Sequence, residues 1–77
     1  MTKTRRKKLI ALSEQLEEIN DSIRDILSEE EDARDNTPES LQDTEAYTER
    51  EDACDGMEEV IGYLDDAITA LNEIINA

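Results

Sequence analysis

The stretch Met57-Glu58-Glu59-Val60-Ile61-Gly62-Tyr63-Leu64-Asp65-Asp66-Ala67-Ile68-Thr69-Ala70-Leu71-Asn72-Glu73-Ile74-Ile75 decides the fold. Met57, Val60, Leu64, Ala67, Leu71 and Ile74 recur in it at alternating steps of three and four. That is the spacing of a helix face packed on another helix. Beside this seam, Ile61, Ile68 and Ile75 stand at a strict spacing of seven, a row that runs back through Cys54 to Tyr47. A helix with two adjacent apolar rows carries more apolar surface than one partner helix covers.

Working outward, the same spacing returns at Leu9, Leu12, Leu16, Ile19, Ile23 and Ile26, flanked by Ile10 and Leu27. It predicts a first helix over about residues 4–35, preceded by a frayed start and thinning at Glu30 and Ala33. Between the two periodic segments Pro38 forces Thr37 out of the helical region and cannot donate a backbone hydrogen bond. Thr37 is then expected as an N-cap of a short helical piece from Pro38 to about Gln42, with Leu41 tucked under the bend. Thr44 or Asp43 would cap a second helix over about 45–75, softened at Gly56 and Gly62. Two helices of nearly equal length, joined by a short link over 36–44, fold back as an antiparallel hairpin.

The expected fold class is therefore all-α: one coiled-coil-like helical-hairpin domain spanning residues 1–77. The row Tyr47, Cys54, Ile61, Ile68 and Ile75 is left over once the two seams are matched. It is assigned to a homodimer interface that pairs two hairpins into a four-helix bundle. The competing reading is a monomeric hairpin whose stripe docks on a different partner.

Composition narrows the chemistry. The chain has 22 acidic and 8 basic residues, no His, and a formal net charge of −14. A single cysteine rules out an intrachain disulfide, and one thiol without histidine argues against structural zinc. The carboxylate runs lack the alternate-position ligands and sixth-position Gly of an EF-hand loop. Asp52 and Asp55 beside Cys54 would disfavour a thiolate, so Cys54 reads as a packing residue. The sequence thus calls for no catalytic residue, no metal and no cofactor. It shows neither an apolar run of membrane-spanning length nor a signal-peptide pattern, so the expected location is the cytoplasm.

Charge is unevenly placed. A basic arm, Lys3, Arg5, Arg6, Lys7 and Lys8, holds five of the eight cations. At a helix N-terminus these charges oppose the macrodipole, so helix stability does not explain them. They read either as neutralisation of the acidic body, including the end of helix 2, or as a phosphate-contacting arm, the only route by which nucleic acid would bind. From Glu29 to Glu59 there are 14 acids and two arginines. The candidate acidic interaction surface comprises Glu29, Glu30, Glu31, Asp32 and Asp35 from the first helix. From the second it takes Glu49, Glu51, Asp52, Asp55, Glu58 and Glu59. Such a belt is either a solvated face or a mimic of a phosphate backbone that attracts basic proteins.

The turn Asp35-Asn36-Thr37-Pro38-Glu39-Ser40-Leu41-Gln42-Asp43-Thr44-Glu45, followed by Met57-Glu58-Glu59-Val60-Ile61, resembles a group of short acidic helical proteins. These are found in bacteriophages and other mobile elements of gut-type Firmicutes, and their hairpin turn reads Asn-x-Pro-Glu-x-Leu-Gln. This chain differs by its basic start and by the extra residues Ala46 to Asp52. The resemblance implies a helical hairpin of phage or mobile-element origin and transfers no functional residue. Taken with the charge, it gives the expected function: a non-enzymatic acidic interaction module. As a nucleic-acid mimic it would inhibit a basic host protein such as a CRISPR or restriction effector. The alternative is a homo-oligomer with a purely structural or assembly role.

Overall fold

A computed structural model describes all 77 residues and contains two long helices, no strand and no cis peptide bond. Helix α1 runs Lys3–Asp35 and helix α2 runs Glu45–Ile75. A single 3-10 turn, Glu39–Leu41, lies between them. The helices fold back on one another as a rod of 60 × 14 × 13 Å with a radius of gyration of 17.5 Å. A globular chain of this length would have a radius near 11–12 Å, so the hairpin is far more elongated than a compact domain.

Local chemistry sets the ends. The Thr2 hydroxyl accepts from the Arg5 amide (3.2 Å), starting α1 one residue before Thr4 and leaving the arm helical rather than frayed. The Thr44 hydroxyl accepts from the Tyr47 amide (3.2 Å) and starts α2. Thr37 does not cap the 3-10 turn: its hydroxyl donates to the Ala33 carbonyl (2.9 Å), closing the open end of α1. Pro38 then sits outside the 3-10 turn with an extended ψ of 144°. Leu41 is not tucked under the bend but half exposed. Its carbonyl is held by the Thr44 hydroxyl (2.7 Å), which fixes the backbone and leaves the side chain outside. Helix α2 passes through Gly56 and Gly62 without a break.

The seam is where sequence and structure part. The shielded series along α1 is Arg6, Leu9, Ser13, Leu16, Asn20, Ile23, Leu27, Glu30 and Arg34, with Glu31 and Ala33 also partly covered near the turn. Along α2 it is Tyr47, Arg50, Cys54, Met57, Ile61, Leu64, Ile68, Leu71 and Ile75. Both series keep the alternating three–four spacing without a miss, but each is rotated by one row from the expected seam. The row Tyr47, Cys54, Ile61, Ile68 and Ile75 is therefore not left over for a second chain. Cys54, Ile61 and Ile75 are buried within the hairpin, and Cys54 and Ile61 form its core with Leu27, against which Ile23 and Met57 pack. The cause lies in α1. Its covering row, Arg6, Ser13, Asn20, Leu27 and Arg34, is mostly polar; Arg6, Ser13 and Asn20 find partners on or beside α2, while Arg34 pairs with Glu31 and Asp35 of α1 itself.

Candidate functional site: two unlike sides of one hairpin

Polar pairs fix the register of the hairpin. The Ser13 hydroxyl donates to Asn72 Oδ1 (3.2 Å), and Asn20 Nδ2 donates to Asp65 Oδ1 (2.7 Å). Arg24 Nη2 reaches Asp65 Oδ2 (3.0 Å) and Oδ1 (3.3 Å). Asp65 thus gathers a buried amide and an exposed guanidinium from α1. The Asn20 side chain is buried while its Oδ1 has no partner. An orphaned buried acceptor costs about 1–3 kcal/mol. A polar seam residue of this kind sets alignment at the expense of stability.

The same pairs define the two sides of the rod. Arg24 follows Asn20 by four residues and Asp65 follows Ile61 by four, and they meet. Residues at that offset from the seam therefore share one side. It holds Glu17, Glu31, Glu51 and Glu58, and near the chain ends a shallow groove of about 300 Å³ lined by Ile10, Ser13, Glu14, Glu17 and Asn72 among others.

Residues one position before the seam lie on the opposite side. There α1 presents Leu12, Ile19 and Ile26, which are 50%, 50% and 52% exposed. From α2 come Val60 and Ile74, 42% and 51% exposed, with Ala67 between them. The register fixed by Ser13–Asn72 and Asn20–Asp65 sets Leu12 level with Ile74, Ile19 with Ala67, and Ile26 with Val60. Beyond them Ala33 stands level with Ala53. The margins of this face are Gln15 and Ser22 on α1, and Gly56, Tyr63 and Ala70 on α2. Along the face and these margins, from Lys8 to Ile26 and from Gly56 to Ile74, not one of the 22 acids appears. The exposed apolar side chains of this strongly acidic chain are thus concentrated on one side of the rod.

The basic arm is part of α1, and one of its members has a structural task. Arg6 Nη1 donates to the Ile75 carbonyl (2.7 Å) and Nη2 to the Ala77 carbonyl (3.3 Å). It thereby satisfies carbonyls that the end of α2 leaves open, where a cation is also favoured by the helix dipole. Lys3, Arg5, Lys7 and Lys8 are exposed.

In the acidic belt, Glu30 pairs with Arg50 (3.3 Å), while Glu31 (3.9 Å) and Asp35 (3.2 Å) flank Arg34. The hydrogen bond to Asp35, more than anything else, holds the Arg34 guanidinium above its ordinary pKa. Glu29, Asp32, Glu49, Glu51, Asp52, Asp55, Glu58 and Glu59 are exposed and unpaired. No three His, Cys, Asp or Glu side chains converge closely enough to hold a metal ion.

Cys54 has no exposed surface, and burial pushes its thiol pKa up. Arg34 pulls the other way and is outweighed. Raised and enclosed, this thiol is a packing group. No helix is long and apolar enough to cross a membrane. No family model, no curated protein and no solved structure matches this chain.

Proposed function

We propose that the chain is a non-enzymatic protein-interaction module that works through its apolar face. The observation that carries this reading is the coincidence of Leu12, Ile19, Ile26, Val60 and Ile74 on one side of the rod, with acids on its border only at the turn end. Of the nine large apolar side chains left exposed, these five share one side, where scattered exposure would be ordinary. The polar side supplies the opposite property: a fixed register that keeps the face flat and continuous. The turn's resemblance to phage and mobile-element hairpins suits a small binding module.

The test is comparative capture from a bacterial lysate, using the wild-type chain and Val60→Glu as baits. Val60 is exposed, so the substitution spares the hairpin core. The module reading expects a protein, either another copy or a host protein, that wild type retains and Val60→Glu loses. Identical captures, together with no self-association, would contradict it.

A second reading rests on a different observation, the eight unpaired carboxylates around the turn end. Set on a rigid rod, they would imitate a phosphate backbone and sequester a basic nucleic-acid-handling host protein. That binding would vanish as salt rises through a few hundred millimolar, whereas binding through the apolar face would survive. An assembly role as a homo-oligomer draws on the apolar face alone.

A further inference from the structure

An apolar face needs an occupant, and the dimensions and charge of this rod select one. We propose that it is a second copy of the chain, laid face to face and end for end about a twofold axis at Ile19 and Ala67. The proposal rests on the reading of that face as an interaction surface.

Area comes first. A compact monomer of 8.8 kDa exposes about 4,800 Å², whereas this chain exposes 5746 Å². The surplus is roughly 1,000 Å² per chain against that scaling. Two such surpluses match the 1,200–2,000 Å² total that a specific dimer typically buries. The surplus comes with the elongation of the rod, whose own core is only three residues with two more packed against it.

The face is also complementary to itself. Rotation about the Ile19 and Ala67 layer sets the Leu12 and Ile74 layer of one copy on the Ile26 and Val60 layer of the other. Each α1 then lies on its partner's α1, antiparallel. Four helices result, with the apolar rows inside and the acids outside.

Charge chooses the direction. At one end of the face the border carries Arg5 and Lys8; at the other it carries Glu29 and Glu49. End-for-end packing sets the cations of each copy over the acidic end of its mate and holds the two turn ends apart. Packing with the turns side by side would instead bring Glu29 and Glu49 of both copies together, adding repulsion to a chain already at −14. The arrangement gives the exposed cations of the arm a role that the single hairpin does not.

Sedimentation equilibrium of the full chain, up to about 100 µM, is the test, since mass action governs the dimer. Wild type is expected to be dimeric. Ile19→Glu places two carboxylates together on the axis and should raise the dissociation constant at least about 100-fold. Helicity should persist, because Ile19 is half exposed in the single hairpin. Ala67→Glu reads the same contact from the other helix. Lys8→Glu should weaken the dimer several-fold, and adding Glu29→Lys should restore it. A wild-type monomer at every concentration, or a dimer indifferent to both Ile19→Glu and Ala67→Glu, overturns the second copy. Failure of Glu29→Lys to rescue Lys8→Glu overturns the end-for-end direction. If wild type is monomeric yet captures a host protein that Val60→Glu loses, the self-association falls and the interaction module stands.

Discussion

The two sides of the hairpin use the same heptad and do opposite things with it. On one side Ser13, Asn20 and Arg24 of α1 meet Asn72 and Asp65 of α2, and every contact is polar and directional. On the other side Leu12, Ile19 and Ile26 stand beside Val60, Ala67 and Ile74 with no polar partner. The contrast shows how a two-helix protein divides its work. Hydrogen bonds specify which residues lie level on one side, and apolar side chains stay exposed on the other.

The contrast is broken most severely by one substitution made in both places. Ile61→Ala empties a buried site and should destabilise the hairpin by about 2–4 kcal/mol. Ile19→Ala, measured at high dilution where single chains dominate, should change it by less than about 1 kcal/mol. Thermal unfolding followed by circular dichroism checks the pair. Equal losses would erase the distinction between the sides.

The polar side is probed by Asp65→Ala. Because Arg24 and Asp65 are both about half exposed, their ion pair contributes little by itself. The buried Asn20 amide, left without any partner, should dominate, at about 1–3 kcal/mol. Asn20→Leu should recover or exceed wild-type stability while loosening the alignment of the helices. Urea midpoints report the first effect, and amide exchange across Ser13 and Asn72 reports the second.

Smaller is the alkaline response of Cys54. Its folded pKa is raised above the ordinary value of 9.0 by burial. Below that value the thiol is neutral in both folded and unfolded chains and carries no penalty. As pH climbs beyond it, the unfolded chain ionises first and stability falls. The melting temperature of wild type should therefore drop more steeply above about pH 9 than that of Cys54→Ala, with similar slopes below it. The smallest expected effect is a gain. A Cβ added at Gly62 meets nothing within 4 Å, so Gly62→Ala should stabilise the hairpin by about 0.5–1 kcal/mol in the same melts.

Much of this molecule was legible in the sequence. Thr44 and Pro38 announced the break, and the isoleucine and leucine periods announced two helices with more apolar rows than a lone hairpin uses. The most apolar row of α1, however, faces outward. Leu12, Ile19 and Ile26 look like seam residues, while Ser13 and Asn20 look like surface. The order reverses because the hairpin must cover the isoleucine row of α2, and because Asn72 and Asp65 offer partners to Ser13 and Asn20 of the polar row of α1. A residue-type pattern cannot announce a cross-helix hydrogen bond between residues 45 positions apart, such as Asn20 and Asp65. One signal was present nonetheless. Arg6, Ser13, Asn20, Leu27 and Arg34 keep the same spacing of seven as Tyr47, Cys54, Ile61, Ile68 and Ile75, and neither row contains an acid.

The central claim, that the apolar face meets its own copy at Ile19, is tested most directly by cross-linking. Ile19→Cys and Leu12→Cys would each be made in a Cys54→Ala background and oxidised with glutathione disulfide. Two copies of residue 19 adjoin the axis, whereas two copies of residue 12 stand about 20 Å apart along the helices, beyond the reach of a disulfide. The expected result is a covalent dimer from Ile19→Cys and little or none from Leu12→Cys. Equal cross-linking of the two, or none from Ile19→Cys, would contradict it.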